Sequence, residues 1–347
     1  MLKSRVIMGI ANNSLLDIMT LKIEEVSYMD PITHGLIGIA LSTLSGHTMQ
    51  LNDPIFLGCT LGAMLPDLDI IAHVKGRLNY LLKHRGASHS FIALTASALG
   101  LGTVLHLVFP TTSWLAVVFW TLIGTMSHGI MDLLNSYGAE LLWPFSRKKI
   151  TVDMIMLTDP VVLVSLLVSF IISLISPELA SSSSQLALLI SAIYLGYRHL
   201  GRIETRDRIM NIYHIKEKDQ VKIIPAMYHP FTWNFILFQD EYVRFGIIRN
   251  QTPTICRVLP KFNGDNPAVA SALEGNLAEI FNQFTPYYHV IAHFLDTEEC
   301  RIEFLDLRYW AKGDFLYTGN VYLNLDGEIS QEVFHPLPNQ KGVILSY

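Results

Sequence analysis

Six stretches between residues 32 and 199 are almost free of charge and approach the length of a bilayer crossing, which leaves the chain few ways to fold. In hydrocarbon every backbone amide must be satisfied internally, so a spanning segment is a helix of about 20 mainly apolar residues. The stretches run from about Ile32 to Leu44, Pro54 to Ala72, Ser90 to Phe109, Trp114 to Leu134, Pro160 to Ile175 and Leu186 to His199. The first and last are short, as a tilted, re-entrant or partly buried helix would be. Composition agrees with a membrane class: 50% of the 347 residues are hydrophobic and 16% are charged, against about 25% charged in soluble proteins.

Charged residues are sparse from 31 to 200 and common after Arg202. That asymmetry predicts a membrane domain over residues 29–200 and a soluble domain over 201–347. Residues 1–28 do not read as a cleaved signal peptide, because the apolar run Val6 to Ala11 is short and Lys22, Glu24 and Glu25 follow it. They are expected to form an amphipathic or loose leader, with Met29 as the start of the main architecture.

Loop charges give orientation, since Lys and Arg accumulate in short cytoplasmic loops. Lys75, Arg77, Lys83 and Arg85 follow the second stretch; Arg147, Lys148 and Lys149 follow the fourth; Arg202, Arg206 and Arg208 follow the last. The intervening loops, His47 to Asp53, Pro110 to Ser113 and Pro177 to Gln185, contain neither Lys nor Arg. The expectation is a mainly α, polytopic helical bundle of about six spans, with both termini on the cytoplasmic side.

Ionisable groups beside spanning helices are expensive to desolvate and mark functional sites. Five motifs carry them: Asp30 to Gly35 with His34, Pro66 to Asp69 with Asp67 and Asp69, His84 to Ser90 with Arg85 and His89, Ser127 to Asp132 with His128, and Asn135 to Phe145. Each has an ordinary reading alone. A histidine at a helix entrance is commonly just hydrogen-bonded, and Pro-Asp-Leu-Asp can cap a helix. Together they are hard to dismiss, because a topology drawn from Lys and Arg alone puts every one of them at the same membrane face. Imidazole and carboxylate without thiolate suit Zn, Mn, Fe(II) or Ni, whereas Ca and Mg favour oxygen alone. His128 and Asp132 stand four apart on one helical face and can share one ion. Cys59, Cys256 and Cys300 are far apart and make no metal motif.

These residues have a familiar order. Thr33-His34-Gly35, Pro66-Asp67-Leu68-Asp69, His84-Arg85-Gly86-Ala87-Ser88-His89-Ser90, His128 with Asp132, and Asn135-Ser136-Tyr137-Gly138 resemble the YdjM-type membrane-bound metal-dependent hydrolase family along residues 29 to about 160. Pro225 to Trp233 resembles a downstream element of its longer members. The resemblance implies a multi-pass bacterial inner-membrane protein with metal-dependent hydrolase chemistry. It implies no substrate.

On this reading His34, Asp67, Asp69, His89, His128 and Asp132 are the expected ligands of a divalent ion, Zn or Mn. His84 is expected as a proton shuttle or outer ligand, and Arg85 as a clamp for an anionic substrate. A site at headgroup level favours a lipid or phosphoester substrate. Arg147, Lys148 and Lys149 fit the charge rule better than a phosphate site. The alternative is a regulatory or scaffold protein that uses the ion for folding only and recruits a cytoplasmic protein partner. A transporter would spread polar groups through the membrane depth. A net charge of −5 gives no reason to expect nucleic acid.

After Arg202 alternating apolar and aromatic runs, Trp233 to Phe238, Tyr242 to Ile248, Cys300 to Leu305 and Asn320 to Leu325, predict strands. Helical spacing of Ala268, Ala272, Leu273, Leu277, Ile280 and Phe281 predicts one helix from Asn266 to Phe284. An α+β domain with an antiparallel sheet follows, able to cap the site or bind a partner.

Overall fold

The computed structural model describes residues 31–47, 49–69, 82–261, 266–294, 300–336 and 342–345. The leader over residues 1–28 and the start at Met29 lie outside them, as do Lys75 and Arg77 of the second loop.

All six apolar stretches contain a helix: α1 Pro31–Thr43, α2 Pro54–Met64, α3 Phe91–Val108, α4 Trp114–Leu134, α5 Pro160–Ile175 and α6 Ala180–Ile212. Their starts are written in the sequence. Asp53 Oδ1 accepts the amides of Ile55 at 2.8 Å and Phe56 at 3.2 Å, and Pro54 follows where no amide is needed. Asp159 and Pro160 repeat the device at α5, and the Ser90 hydroxyl accepts the Ala93 amide at α3.

The expectation of six spans is not met. Among the described residues, only the helices over Phe91–Val108, Trp114–Leu134 and Pro177–Ile212 are long and apolar enough to cross a membrane. α5 has 16 residues, α1 13 and α2 11; at about 1.5 Å rise per residue the last two fall well short of a 30 Å core. Hydropathy overcounts here because α1 and α2 are apolar for packing. The Cys59 carbonyl on α2 lies against glycines on both sides, and a Cβ at Gly38 on α1 or Gly124 on α4 would run into it. Small residues let the three backbones approach this closely. α5 and α6 meet through hydroxyls instead, with Ser165 and Ser191 at 3.1 Å and Ser169 and Ser184 at 3.3 Å.

The outer faces are apolar. Phe91, Val104, Leu107 and Val108 on α3, Val168, Ile171 and Leu174 on α5, and Leu186, Leu189 and Ile193 on α6 are exposed. A belt of this size on a water-facing protein would aggregate, so lipid is its solvent.

α6 runs unbroken past residue 200, and a four-stranded antiparallel meander packs on its end: β1 Val221–Pro225, β2 Trp233–Phe238, β3 Tyr242–Arg249 and β4 Thr252–Pro260. The Arg198 guanidinium lies 3.7 Å from the Trp233 ring centroid and donates Nε to the Met154 carbonyl at 3.1 Å. Two helices follow, α7 Pro267–Leu273 and α8 Asn276–Phe284, then β5 Tyr288–Phe294, β6 Cys300–Asp306, the short pair β7 Trp310–Ala311 and β8 Asp314–Phe315, β9 Thr318–Leu323, β10 Ile329–His335 and β11 Val343–Leu345. The larger sheet has the order β11-β10-β9-β6-β5, antiparallel throughout.

The strand expectations match or shift by a residue or two, with Asn320 to Leu325 becoming Thr318–Leu323. The single helix expected over Asn266 to Phe284 is two. Gly275 is extended at φ −77°, ψ 168°, and the buried Glu332 carboxylate restarts the helix by accepting the Leu277 amide at 3.0 Å. Phe281 and Phe284 then pack on Phe334, and Tyr137 from the loop after α4 joins the same cluster.

Candidate metal centre

Four chain segments deliver the polar groups. His34 sits at the start of α1, Asp67 just beyond α2, His89 just before α3, and His128 and Asp132 near the end of α4. With antiparallel neighbours, a start, an end, a start and an end fall at the same end of the bundle.

There the donor atoms converge. His89 Nε2 and His128 Nε2 are 3.0 Å apart. Asp132 Oδ2 lies 3.2 Å from the former and 3.3 Å from the latter. Asp67 Oδ1 lies 3.6 and 3.5 Å from the same two nitrogens. His34 Nε2 is 3.5 Å from Asp132 Oδ1, and its ring stacks on His128 at 3.9 Å between centroids. His89, His128 and Asp132 are wholly buried, and His34 and Asp67 nearly so.

Whether an ion fits is decided by the lone pairs. His128 Nδ1 faces the Ala63 carbonyl at 2.7 Å and must carry the ring proton to donate there, so Nε2 is left with a lone pair. Both oxygens of Asp67 are buried and accept no hydrogen bond among the described residues, and Asp132 Oδ2 is in the same position. Acceptors facing acceptors repel, and buried unsatisfied carboxylates are costly. A cation at the centre resolves both problems. Ligands about 2.0–2.1 Å from a tetrahedral ion stand about 3.3 Å apart, and the five separations given above among His89, His128, Asp67 and Asp132 bracket that figure. The donor set fits a divalent ion.

The protein groups by themselves meet the need in part with a proton. Burial pushes the His89 imidazole down, yet the Asp132 and Asp67 carboxylates beside it outweigh this and lift it to about 9. An entering ion must displace that proton. Apparent affinity is therefore expected to rise about tenfold per pH unit below pH 9 and to level off above it. Calorimetric titration with Zn at pH 7, in two buffers of different ionisation enthalpy, should show about one proton released per ion; no release would contradict the assignment of His89.

Behind these donors lies a second set. Asp69 accepts from His84 Nδ1 at 2.7 Å, from the Arg85 amide at 3.2 Å and from the Ser88 hydroxyl at 3.1 Å, while Ser88 Oγ receives His89 Nδ1 at 3.0 Å. Asp67, Asp69 and His84 form a further group with metal-ligand spacing, but three donors already occupy Asp69. Burial takes the His84 imidazole down to about 4, against the pull of Asp69, so it is a neutral donor to that carboxylate.

Arg85, expected as a clamp for an anionic substrate, is turned into the protein. Its side chain is 2% exposed, with Nη2 2.8 Å from Asp132 Oδ1 and Nη1 donating to Asn135 Oδ1 at 2.7 Å. A positive φ of 55° turns the backbone here, and the guanidinium pairs with a buried carboxylate.

Residues 29–203, half of the chain, match the model of the YdjM inner membrane protein family. The chain belongs to that family. Residues 267–342 match the YfhP C-terminal alpha/beta plait domain, in keeping with α7, α8 and the five-stranded sheet. The uncharacterized protein YfhP of Bacillus subtilis (strain 168) is 25% identical over 309 residues, which cover 86% of this chain and 92% of that protein. No solved structure matches.

This YdjM-family chain therefore has a helical membrane part, buried His and Asp groups able to hold a metal ion, and an α/β plait domain. Two supporting residues escape sequence reasoning. Lys149, read as a loop charge, is buried, donates Nζ to the His84 carbonyl at 3.1 Å and lies 4.0 Å from the Tyr137 ring centroid. Burial holds its amine well below the usual lysine range. Arg308 comes from the plait domain, 172 residues along the chain from Ser136, whose carbonyl it binds at 3.1 Å. Its one signal is two charges, Asp306 and Arg308, in an otherwise apolar run from Phe304 to Trp310.

Proposed function

We propose that this protein is an integral-membrane, divalent-metal-dependent hydrolase with its His/Asp site on the cytoplasmic face, acting on a lipid or phosphoester. The observation that supports it most is the convergence of His34, Asp67, His89, His128 and Asp132 around a point where buried carboxylate oxygens have no hydrogen-bonding partner among the described residues. A divalent ion held among these residues, Zn or Mn by its donor set, would supply a Lewis acid that polarises the scissile group and acidifies water.

The chain's own groups have separate tasks. His128 is fixed in orientation by the Ala63 carbonyl, and His89 by Ser88 and through it Asp69, the outer arrangement that holds ligating histidines in place. Asp67 Oδ2, which accepts no hydrogen bond among the described residues, is the atom placed to take a proton from attacking water. Arg85 and Asn135 position Asp132 and do not touch substrate. His84 is a positioning residue for Asp69.

Orientation rests on the basic loops. Arg147 and Lys148 follow the same helix that carries His128 and Asp132, and both are exposed. By the charge rule they face the cytoplasm, and the plait domain with them. The site then lies at the headgroup level of the inner leaflet, where a lipid-linked ester or phosphoester reaches it directly.

The test is turnover. Purified protein loaded with Zn or Mn is expected to hydrolyse a phospholipid or isoprenoid phosphate, and Asp67→Asn is expected to cut the rate by a factor of about 100 or more. A second reading, a metal-stabilised scaffold, is favoured by the near-complete burial of the donors. Stoichiometric metal, loss of folding on chelation and no turnover of any ester would choose it.

A further inference from the structure

We infer that the chain carries a second binding site, for a phosphate group, where the C-terminal end of α6 meets β1. Its cavity of about 130 Å³ is lined by Arg202, Arg206, Lys218, Lys222, Thr151 and Tyr287, with Asp153 at its wall. None of these belongs to the metal centre. Liquid water takes about 30 Å³ per molecule, so the space suits about four waters or one tetrahedral oxyanion.

Four cations face this space against one carboxylate, and that carboxylate is engaged. Asp153 Oδ2 accepts the Tyr287 hydroxyl at 2.8 Å and Oδ1 the Thr151 hydroxyl at 3.2 Å. Arg202 gives Nε to the Ile223 carbonyl at 3.1 Å. Arg206 Nε is buried and makes no hydrogen bond among the described residues, the nearest carboxylate oxygen, on Asp207, standing 3.7 Å away. Lys218 and Lys222 make no ion pair among the described residues.

A buried guanidinium Nε without a hydrogen bond among the described residues, beside three further cations that face a single carboxylate, calls for an anion. Like charges crowded at a half-enclosed site repel until a counter-charge sits among them. The donors come from α6, from the turn leading into β1 and from β1 itself. A tetrahedral dianion offers oxygens in all those directions, where a planar carboxylate offers two in one plane, and guanidinium groups pair with phosphate through parallel N–H bonds. The site does not depend on the hydrolase reading. A soluble phosphate compound and an anionic lipid headgroup share this chemistry.

Titration of the full-length protein in nanodiscs with inorganic phosphate, read by calorimetry, tests the site. In phosphatidylcholine nanodiscs we expect saturable binding of one phosphate per chain, weakened at least tenfold by Arg206→Gln combined with Lys222→Gln and unchanged by Lys148→Gln. Neither substituted side chain makes a hydrogen bond among the described residues, and an unchanged thermal midpoint would verify the double variant. Should it unfold, Lys218→Gln, at an exposed position, is expected to weaken phosphate at least threefold. Nanodiscs containing phosphatidylglycerol separate the two sources: an unchanged titration assigns the site to a soluble phosphate compound, and a suppressed one to a lipid headgroup. No saturable binding in phosphatidylcholine, or equal binding by wild type and the folded variants, overturns the inference.

Discussion

His128→Ala is expected to lower affinity for a divalent ion by more than a factor of about 100 and to abolish stoichiometric metal in the purified protein. The reason is geometric. His128 Nε2 lies within 3.0 to 3.5 Å of His89, Asp132 and Asp67, and its ring stacks on His34, so it touches each of the other four donors. Its Nδ1 is committed to the Ala63 carbonyl, which fixes the ring before an ion arrives. Loss of the imidazole leaves His89 and two carboxylates around a gap that water fills at lower cost than a hydrophobic cavity would. The variant should therefore still fold.

Asp132→Ala is a poorer test, although it removes a donor as well. The Arg85 guanidinium beside it is buried and would lose its counter-charge, costing about 3–5 kcal/mol in stability. Asp132→Asn keeps the shape and a partner for Arg85 while weakening the ion, so the two substitutions separate folding from binding. Metal analysis of folded His128→Ala showing one ion per chain would remove the proposed centre, and with it the hydrolase reading.

How much of this was legible in the sequence depends on how local the cause is. The helix starts at Pro54 and Pro160 were readable because Asp-Pro satisfies the first amides with neighbours in the chain. The convergence of His34, Asp67, His89 and Asp132 was readable from loop charges, because alternate helix ends in an up-and-down bundle must share a face. Span number was not, since the same apolar residues serve lipid contact in α3 and helix packing in α1 and α2. Hydropathy does not see which. The inward turn of Arg85 was hidden because the sequence places it beside Lys83 in a basic loop, while its partners Asp132 and Asn135 lie some 50 residues on. The break at Gly275 was hidden for a similar reason, because the carboxylate that restarts the helix comes from Glu332 in a strand formed much later.

Arg308→Ala is expected to destabilise the protein by about 3–5 kcal/mol, the cost of leaving a buried charge without its partner. Arg308 and Asp306 are both wholly buried, and the guanidinium meets the carboxylate with Nε at 3.0 Å from Oδ1 and Nη2 at 2.8 Å from Oδ2. Burial pulls the arginine down, and Asp306 more than restores it, holding it above the usual arginine range so that it is charged at every accessible pH. Its remaining nitrogen, Nη1, binds the Ser136 carbonyl, and its plane lies 4.7 Å from the Phe284 ring centroid. One side chain thus joins the plait domain to the residue that follows Asn135, the brace of Arg85. Arg308→Lys should recover little, because a single ammonium cannot satisfy a two-pronged carboxylate and a carbonyl together. The double change Arg308→Met with Asp306→Leu should be milder than either single change, since it removes both charges and leaves apolar volume behind. Thermal midpoints of the four proteins in one detergent form the cycle. Effects that simply add would show the pair to be energetically independent, and the latch between the two domains would have to be sought elsewhere.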